Sequence, residues 1–399
     1  MKIVHWDEAF HPLFGYQINL LAKYQAMQGH DVTIVSSKNI NSFPVFNQFD
    51  NSNLSDAEMD EEFSKKYKVK IIRWPWRKSF LAKNRIVHKK GFIELLSNIE
   101  ADIIFVHTND TLSSIKIAKK HKKIKTPLIF DNHMLDMASK NPLRKLFRLY
   151  FKLRITPLIK KNKWIVIRTQ DDPYIIKHFG VPKSQAPYLS FGTDLSIFHT
   201  DESQKKEFMK KNNLYTDTLT FIYTGKLTED KGGLLLANAF LKSFDGKRVN
   251  LIVVGNSFGE YGQCVEQLLK NSENKVLRFP TQNYASLPMF YQSADISIFP
   301  KQCSLSFFDA QACGLPVIAE NNNINIERLS HKNGSVFLSG DVEDFRKIIK
   351  KYIFMDIKDL ENERINSTNY IKKYFDFSKI AEEYSKIIEA EWKRQKENL

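Results

Sequence analysis

The amino-acid sequence predicts an α/β protein built from two doubly wound parallel sheets. Two observations predict this fold class. Short runs of β-forming apolar residues alternate with helical stretches, and the alternation stops and restarts once near residue 200. The length of 399 residues fits two such domains, since a domain averages about 150 residues. We therefore expect domains over residues 1–200 and 201–375, followed by a C-terminal helix over residues 376–399.

The first domain is predicted to open with a strand, a helix and a second strand, at Lys2–Trp6, Gly15–Gly29 and Asp31–Ser36. Four more β-rich runs follow: Val69–Trp74, Ile103–His107, Leu128–Asp131 and Trp164–Arg168. The polar stretch Asn39–Glu62 is predicted to be a long surface excursion.

The second domain repeats the alternation. Its predicted strands are Leu219–Thr224, Asn250–Val254, Asp295–Phe299, Pro316–Ala319 and Ser335–Leu338. Its predicted helices are Gly233–Phe244, Tyr261–Lys270 and Val342–Tyr352, with Ser378–Lys396 as the last helix of the chain. Ligands of such folds bind beyond the carboxyl ends of the strands, so we expect a cleft between the two domains to hold the site.

Composition excludes several classes of protein. A hydrophobic content of 42% excludes a disordered chain, and no run of about 18 apolar residues indicates a transmembrane helix. The N-terminus lacks the long apolar stretch of a secretory signal, and the three cysteines lack metal-ligand spacing. These features favour a cytoplasmic protein.

Positive charge is concentrated in the first half of the chain. Residues 1–200 carry 32 basic and 18 acidic side chains, a net of +14, whereas residues 201–399 carry 28 and 27, a net of +1. Such a split indicates an anionic partner for the first domain, either nucleic acid or a membrane surface.

Familiar nucleotide and metal motifs are absent. The sequence has no G-x-G-x-x-G, no phosphate-binding G-x4-G-K-[ST], no Asp-x-Asp pair and no zinc-type cluster. We therefore expect no metal cofactor.

Two stretches of the second domain carry the chemistry. In YTGKLTEDKGG, Lys226 and Lys231 lie near glycines and a helix start, which suits a diphosphate; the alternative is two solvated loop lysines. In SADISIFPKQCSLSFFDAQACGLPVIAE, a helix is expected to begin near Ser304, with Ser306 in its first turn. Asp309 lies one turn further on, where its carboxylate could accept hydrogen bonds from ribose hydroxyls or stabilise the helix start.

These motifs, in this order, resemble those of the retaining glycosyltransferases of GT-B fold, the large family that includes sucrose synthases and bacterial mannosyl- and glucosyltransferases. The first domain agrees, because FHPLFGYQ, with Gly15, is similar to the family's opening loop, and SFGTD at residues 190–194 is similar to its linker motif. The resemblance spans about residues 1–320. It implies two Rossmann-like domains facing each other across a cleft, with the C-terminal helices returning to the first domain. It also implies a UDP- or GDP-sugar donor.

By position, the resemblance implies a role for individual residues. Lys226 and Lys231 match the family's basic pair on the donor diphosphate, and Ser306 falls where a hydroxyl meets the phosphate. Asp309 matches the second acid of the family's Glu-x7-Glu pattern, which holds the ribose. The backbone at Arg278–Thr281 falls where the nucleobase is read.

Departures concern the donor sugar. Lys301 stands where the family has its first Glu, and Gln302 and Ser304 replace glycines. Lys301 could pair with an anionic sugar or turn to solvent. In the run TPLIFDNHM, His133 is similar in position to the family's active-site histidine, and His107 is its competitor.

A basic, aromatic segment at Lys140–Lys163 predicts attachment to an anionic membrane. No acidic residue lies between Asp136 and Asp171, and leucines and aromatics interleave with the basic residues. The alternative is a domain helix that packs its apolar stripe on the sheet. A second basic cluster, residues 70–90, adds Trp74 and Trp76.

The sequence therefore predicts a retaining hexosyltransferase acting on a lipid-linked saccharide in surface polysaccharide or glycan assembly, peripheral on the inner membrane face. A basic nucleic-acid-binding protein and a catalytically inactive relative are the alternatives. Nucleic-acid binding is disfavoured because no nucleic-acid motif is present.

Overall fold

The structure is a computed structural model that describes residues 1–39, 54–78, 86–136, 142–170 and 172–397. Contacts divide this chain into two units. Unit 1 contains the described residues up to Phe191 together with the segment that starts at Phe377, and unit 2 runs from Gly192 to Asp376.

Unit 1 is built on a six-stranded parallel sheet in the order β3-β2-β1-β6-β7-β8. Buried Val, Ile and Phe residues fill its central strands, as expected for a sheet covered on both faces. Its strands are β1 Lys2–Trp6, β2 Asp31–Ser37, β3 Lys70–Trp74, β6 Ile103–Val106, β7 Leu128–Asn132 and β8 Val166–Arg168, and a separate antiparallel hairpin pairs β4 Trp76–Lys78 with β5 Ile86–His88.

The helices of unit 1 cover this sheet. They are α1 Gln17–Met27, α2 Asp56–Tyr67, α3 Phe92–Asn98, α4 Leu112–Ile124, α5 Arg144–Arg154, α6 Thr156–Asn162 and α15 Phe377–Lys396. The last of these confirms that the chain returns to the first domain: the Gln17 amide donates to the Tyr384 hydroxyl at 2.5 Å, and the Gln395 amide donates to the Leu128 carbonyl at 2.8 Å.

Unit 2 repeats the design with the strand order β11-β10-β9-β12-β13-β14. Its strands are β9 Thr220–Thr224, β10 Asn250–Val254, β11 Lys275–Phe279, β12 Ile296–Phe299, β13 Val317–Glu320 and β14 Gly334–Phe337. Its helices are α7 Glu202–Lys211, α8 Gly233–Ala239, α9 Gly259–Lys270, α10 Leu287–Gln292, α11 Ser306–Ala312, α12 Asn323–Arg328, α13 Val342–Ile353 and α14 Ile357–Tyr374. The predicted fold class, two doubly wound α/β sheets, is confirmed.

Each sheet has one point where the strand order reverses, between β1 and β6 in unit 1 and between β9 and β12 in unit 2. The loops after these strands diverge to opposite faces of the sheet and leave a crevice at the carboxyl edge. This edge of each unit is therefore where a ligand is expected.

Several elements differ from the sequence prediction, among them α2, α7, α10, α12, α14 and β11. The described end of the polar stretch Asn39–Glu62 belongs to α2, which begins with a capping box between Ser55 and Glu58 and buries only Met59 and Phe63. Two buried apolar residues are too few to form the repeating apolar pattern from which a helix is predicted. The sequence reading also lacked β11 and α14; α14 is mostly polar and packs on α11.

None of the described helices combines the length and apolar character that crossing a membrane requires.

Candidate active site

The switch point of unit 2 is formed by loops whose backbones approach closely. A Cβ added to Gly255, after β10, would lie 1.9 Å from the carbonyl oxygen of Gly225, after β9. Gly232 has φ +75°, and a Cβ there would lie 3.0 Å from the Cβ of Pro300, after β12. Gly255 has φ +147°, so glycine is favoured at both positions by space and by backbone conformation.

Lys226 and Lys231 lie in the loop between β9 and α8. Lys226 follows Gly225 directly, and Lys231 ends a single 3-10 turn just before α8 begins at Gly233. Both side chains are half-buried, and burial lowers the pKa of each ammonium group. The neighbouring Asp230 carboxylate acts on Lys231 but does not outweigh burial, so two partly desolvated cations share this edge.

The helix after β12 begins at Ser306, so Ser304 lies in the loop before it rather than in its first turn. Leu305 is the N-cap residue and supplies no side-chain cap. The Ser306 N–H donates to the Ser304 hydroxyl at 3.3 Å, and the Ser304 carbonyl accepts from Arg328 at 3.2 Å. Ser304 therefore shapes the loop that leads into the helix.

Asp309 is buried in α11 with only 7% of its surface exposed. The Thr193 hydroxyl donates to Asp309 Oδ1, and the Tyr284 hydroxyl lies 3.4 Å from the same oxygen. Burial raises the pKa of the Asp309 carboxyl to about 7, against the hydrogen bonds from these two hydroxyls. The sequence reading missed Tyr284; Thr193 lies in its SFGTD motif, but nothing local pairs it with Asp309.

Arg278 has a structural role for its side chain. Its guanidinium contacts both carboxylate oxygens of Glu266, at 3.0 and 2.7 Å. It also donates to the carbonyls of Val253 at 2.7 Å and Gly255 at 2.9 Å. The guanidinium therefore holds the carboxyl ends of β10 and β11 together, which leaves only the backbone at Arg278–Thr281 for the predicted nucleobase contact.

Lys301, the departure from the family pattern, is exposed, and its ammonium group donates to the Glu229 carbonyl at 3.3 Å. Gln302 takes φ +61°, a left-handed conformation that glycine adopts without strain. Its N–H donates to Glu320 at 2.8 Å, which holds the loop in place.

In unit 1, Gly15 and His133 both lie at the carboxyl edge. Gly15 is half-buried in the loop between β1 and α1, and His133 follows β7 directly. His133 Nε2 lies 3.1 Å from Asp131 Oδ1, while His107, after β6, places Nδ1 2.8 Å from Asp131 Oδ2. The two histidines that the sequence left as competitors therefore share one carboxylate, and His107 is the more deeply buried.

His107, Asp131 and His133 bring potential ligand atoms within 4.8 Å of one another, which is a composition that a metal ion could use. Both oxygens of Asp131 are nevertheless already engaged, because Oδ1 also accepts from the Thr108 N–H at 2.7 Å. Asp131 therefore has hydrogen-bond partners in His107 and Thr108 and an ion-pair contact with His133. The expectation that no metal takes part stays a prediction.

The basic helix α5 has two apolar faces. Phe151 is fully buried and Phe147 and Tyr150 pack on the same core, so this face covers the sheet. Four leucines on the outer side are 53–66% exposed: Leu143, Leu146, Leu149 and Leu153. The alternative in which the apolar stripe simply packs on the sheet therefore accounts for the aromatic residues but not for the leucines. Lys140, the start of the predicted segment, lies outside the described residues.

The second predicted membrane cluster is organised differently. The indole N–H of Trp74 donates to the Lys89 carbonyl at 3.3 Å, and that of Trp76 donates to the Lys38 carbonyl at 2.6 Å. Both rings are half-buried against their own unit. The two indole rings therefore pack within their own unit, which the sequence alone did not reveal.

Comparison with known proteins agrees with this geometry. Residues 204–371 match the family model "Glycosyl transferases group 1". The chain is 25% identical to a probable sucrose-phosphate synthase of Thermosipho melanesiensis, over 96% of this chain and 92% of the relative. It is 24% identical to a glycosyltransferase of Methanocaldococcus jannaschii over 54% of this chain, and the match spans only 59% of that relative's length.

Among solved structures, Anabaena HepE in complex with UDP superposes with a TM-score of 0.74 at 16% identity, covering 98% of this chain and 100% of HepE. HepE has also been solved with UDP-glucose, and that structure superposes with a TM-score of 0.72. At this identity the likeness establishes the fold. The chain therefore has a GT-B fold, and its residues 204–371 carry a glycosyl transferases group 1 domain.

Proposed function

We propose that this protein transfers a sugar from a nucleoside diphosphate sugar, UDP- or GDP-linked, to an acceptor hydroxyl with retention of configuration. The observation that carries the proposal is the pair Lys226 and Lys231, two partly desolvated cations at the switch point of unit 2. A diphosphate would supply a counter-charge to both ammonium groups.

The remaining donor contacts are assigned by the positions of the side chains around this pair. Ser306 begins α11, and a phosphate oxygen could replace the Ser304 hydroxyl as the acceptor of its N–H. Asp309 would accept from the ribose hydroxyls, and the backbone at Arg278–Thr281 would contact the base. On unit 1, Gly15 and His133 would meet the sugar.

The proposed reaction needs no carboxylate nucleophile. The bond between the anomeric carbon and the diphosphate oxygen breaks, the acceptor oxygen bonds to the same face of that carbon, and the acceptor proton passes to the departing diphosphate. The protein stabilises the charge that develops on this leaving group. Lys226 and Lys231 have the charge for that task, and no resident metal is required in the proposal.

Thermal unfolding with UDP, GDP and ADP tests the donor site. A nucleotide at 100 times its Kd stabilises the folded state by about 2.7 kcal/mol, so the base that binds gives the largest rise in Tm. Lys231→Met should abolish most of this rise, whereas Lys211→Met, an exposed lysine of α7, should leave it unchanged. An equal rise in both variants would contradict the diphosphate assignment.

The NMR coupling of the product's anomeric proton tests retention. A product with the anomeric configuration of the donor supports the same-face route, and an inverted product contradicts it. Hydrolysis or transfer by the purified protein would exclude the catalytically inactive alternative.

We also propose that the acceptor is a lipid-linked saccharide of surface polysaccharide or glycan assembly, which the protein meets while α5 lies on an anionic membrane at the cytoplasmic face. At about 100° per residue, the four exposed leucines fall within an arc of about 120°. The helix contains no acidic residue, and Arg144, Lys145 and Lys152 are exposed on it. An exposed apolar stripe with basic neighbours matches the chemistry of an anionic bilayer surface.

Vesicle binding tests this surface. Replacing Leu146, Leu149 and Leu153 together by Ser removes three side chains that each contribute about 1 kcal/mol or more on insertion, so affinity for anionic vesicles should fall at least tenfold. Leu338→Ser, at an equally exposed leucine of unit 2, is the matched control. Equal binding by the triple variant and the control would contradict the leucine surface, and binding to duplex DNA rather than vesicles at matched salt would favour the nucleic-acid alternative.

A further inference from the structure

Behind His133, a chain of buried polar side chains runs through unit 1. The Gln25 amide lies 2.7 Å from His5 Nε2, and His5 Nδ1 lies 3.0 Å from His107 Nε2. His107 Nδ1 then lies 2.8 Å from Asp131 Oδ2. The first four members, from Gln25 to Asp131, are almost completely inaccessible to solvent, and only the His133 side chain at the end is partly exposed, at 32%.

The protons of this chain can be assigned from the contacts. As oriented, the Gln25 carbonyl faces His5, and the Gln25 amide nitrogen has no hydrogen-bond partner. If the side-chain amide of Gln25 is turned over, its nitrogen and oxygen exchange places and no other atom has to move. The nitrogen can then donate to His5 Nε2. His5 then donates from Nδ1 to His107 Nε2, and His107 donates from Nδ1 to Asp131.

In this arrangement both buried imidazoles are neutral and every contact has one donor and one acceptor. Burial lowers the pKa of His5 to about 3, which agrees with a neutral ring. The relay ends on Asp131, which also accepts from the Thr108 N–H. The carboxylate therefore receives two hydrogen bonds from neutral donors, and these stabilise its anionic form without supplying a counter-charge.

With His107 assigned as a neutral donor, the counter-charge is left to the imidazole of His133, whose Nε2 lies 3.1 Å from Asp131 Oδ1. Burial, the largest single influence, would lower the pKa of His133, but the charge and hydrogen bond of Asp131, with smaller contributions from Asp7 and Asp110, together outweigh it and raise the pKa. Burial would likewise raise the pKa of Asp131, but His133 and His107 together hold it below its usual range. The ring of Phe191, at a centroid distance of 5.3 Å, packs edge-on against His133 and limits its rotation.

We propose that Asp131 is a positioning residue that keeps His133 as an imidazolium, with its Nε2 turned inward and the rest of the ring presented at the carboxyl edge. His107, His5 and Gln25 serve as a neutral relay that fixes the carboxylate. This inference rests on the proposed function only for its consequence, which is that a positively charged imidazole meets the donor. The charge itself belongs to the free protein.

The test is the titration of histidine ring signals by NMR in the protein without ligand. In the wild type, His133 should remain protonated above about pH 6.5, the ordinary pKa of a histidine side chain. In Asp131→Asn the proton affinity of His133 should fall at least tenfold, while that of exposed His331 of unit 2 should not change. An unchanged His133 titration in Asp131→Asn would overturn the proposal.

A second variant keeps the test decisive if Asp131→Asn does not fold. His107→Gln shortens the relay but leaves the carboxylate, so His133 should keep its raised proton affinity and its sensitivity to pH. Stoichiometric zinc in the purified protein, with loss of both imidazole titrations, would instead make the cluster a metal site and refute the relay. Because neither measurement uses substrate, the inference can stand or fall independently of transfer activity.

If transfer is observed, the dependence of kcat on pH gives a further readout. Activity should decline as His133 loses its proton on the alkaline side, and His133→Lys, whose charge persists to higher pH, should move this decline upward. A purely structural role for His133 would leave the position of the decline unchanged.

Discussion

Asp309→Asn is expected to make the nucleotide-free protein more stable at alkaline pH while weakening nucleotide binding. The wild-type carboxyl is buried, and its pKa is raised from 3.8 to about 7. A group whose pKa is raised in the folded state contributes stability that is fully present below its unfolded pKa and is lost as the pH rises through its folded pKa. Ionised Asp309 therefore costs stability, and this loss develops between about pH 4 and pH 7.

The magnitude follows from the two pKa values. Their difference corresponds to about 4 kcal/mol once the pH exceeds 7, and about 3 kcal/mol of this is lost between pH 5 and pH 8. The asparagine of the variant would not titrate, and its carbonyl oxygen could still accept from Thr193 and Tyr284. Urea unfolding at pH 5 and pH 8 should therefore show a steeper loss of stability in the wild type than in Asp309→Asn.

Asp245→Asn is the matched control, since the Asp245 side chain is 61% exposed and should show no such difference. A constant stability difference between Asp309→Asn and the wild type from pH 5 to pH 8 would refute the reasoning. If the variant is stabilised but binds UDP or GDP as tightly as the wild type, the burial argument survives and the ribose assignment fails.

Three further predictions concern the framework of the site. Gly255→Ala should destabilise unit 2 by about 3 kcal/mol or more in thermal unfolding, because the added Cβ would collide with the Gly225 carbonyl. Gly246→Ala is the control: open space surrounds Gly246, so this substitution should cost only about 1 kcal/mol. Arg278→Met should lower the free energy of unfolding by about 1–2 kcal/mol in urea, since the ion pair between Arg278 and Glu266 is partly exposed. A larger loss of stability would show that the backbone carbonyls bound by the guanidinium need its hydrogen bonds. Tyr384→Phe should cost about 1–2 kcal/mol by leaving the Gln17 amide without its acceptor, and an unchanged Tm would mean that this contact does not hold α15.

The sequence was sufficient to predict the two sheets because each buried strand is a short, continuous apolar run between helical patterns. It was also sufficient to place Lys226, Lys231 and His133 at carboxyl edges, since a residue that directly follows a parallel strand must lie there. It was not sufficient for elements with weak patterns: α2 has two buried apolar residues and α14 is mostly polar along its 18 residues.

Pairings over long sequence separations were likewise hidden. Thr193 meets Asp309 across more than a hundred residues, and His5 meets His107 across a similar span. Nothing in the local pattern reveals such contacts, because they are created by the packing of the sheet. One local signal was available: Asp131 and His133 are two residues apart at a strand end, a spacing that puts alternate side chains on the same side.

The return of α15 to unit 1 has a consequence for the order in which the protein acquires its structure. Residues 192–376 of unit 2 are synthesised between the sheet of unit 1 and the helix that covers part of it. Unit 2 is continuous in sequence and can fold as soon as it has emerged from the ribosome, whereas unit 1 must wait for Phe377–Lys396. During synthesis, the carbonyl and N–H of Leu128 and the side chain of Gln17 remain without their partners on α15. The unit made first is thus the last to be completed.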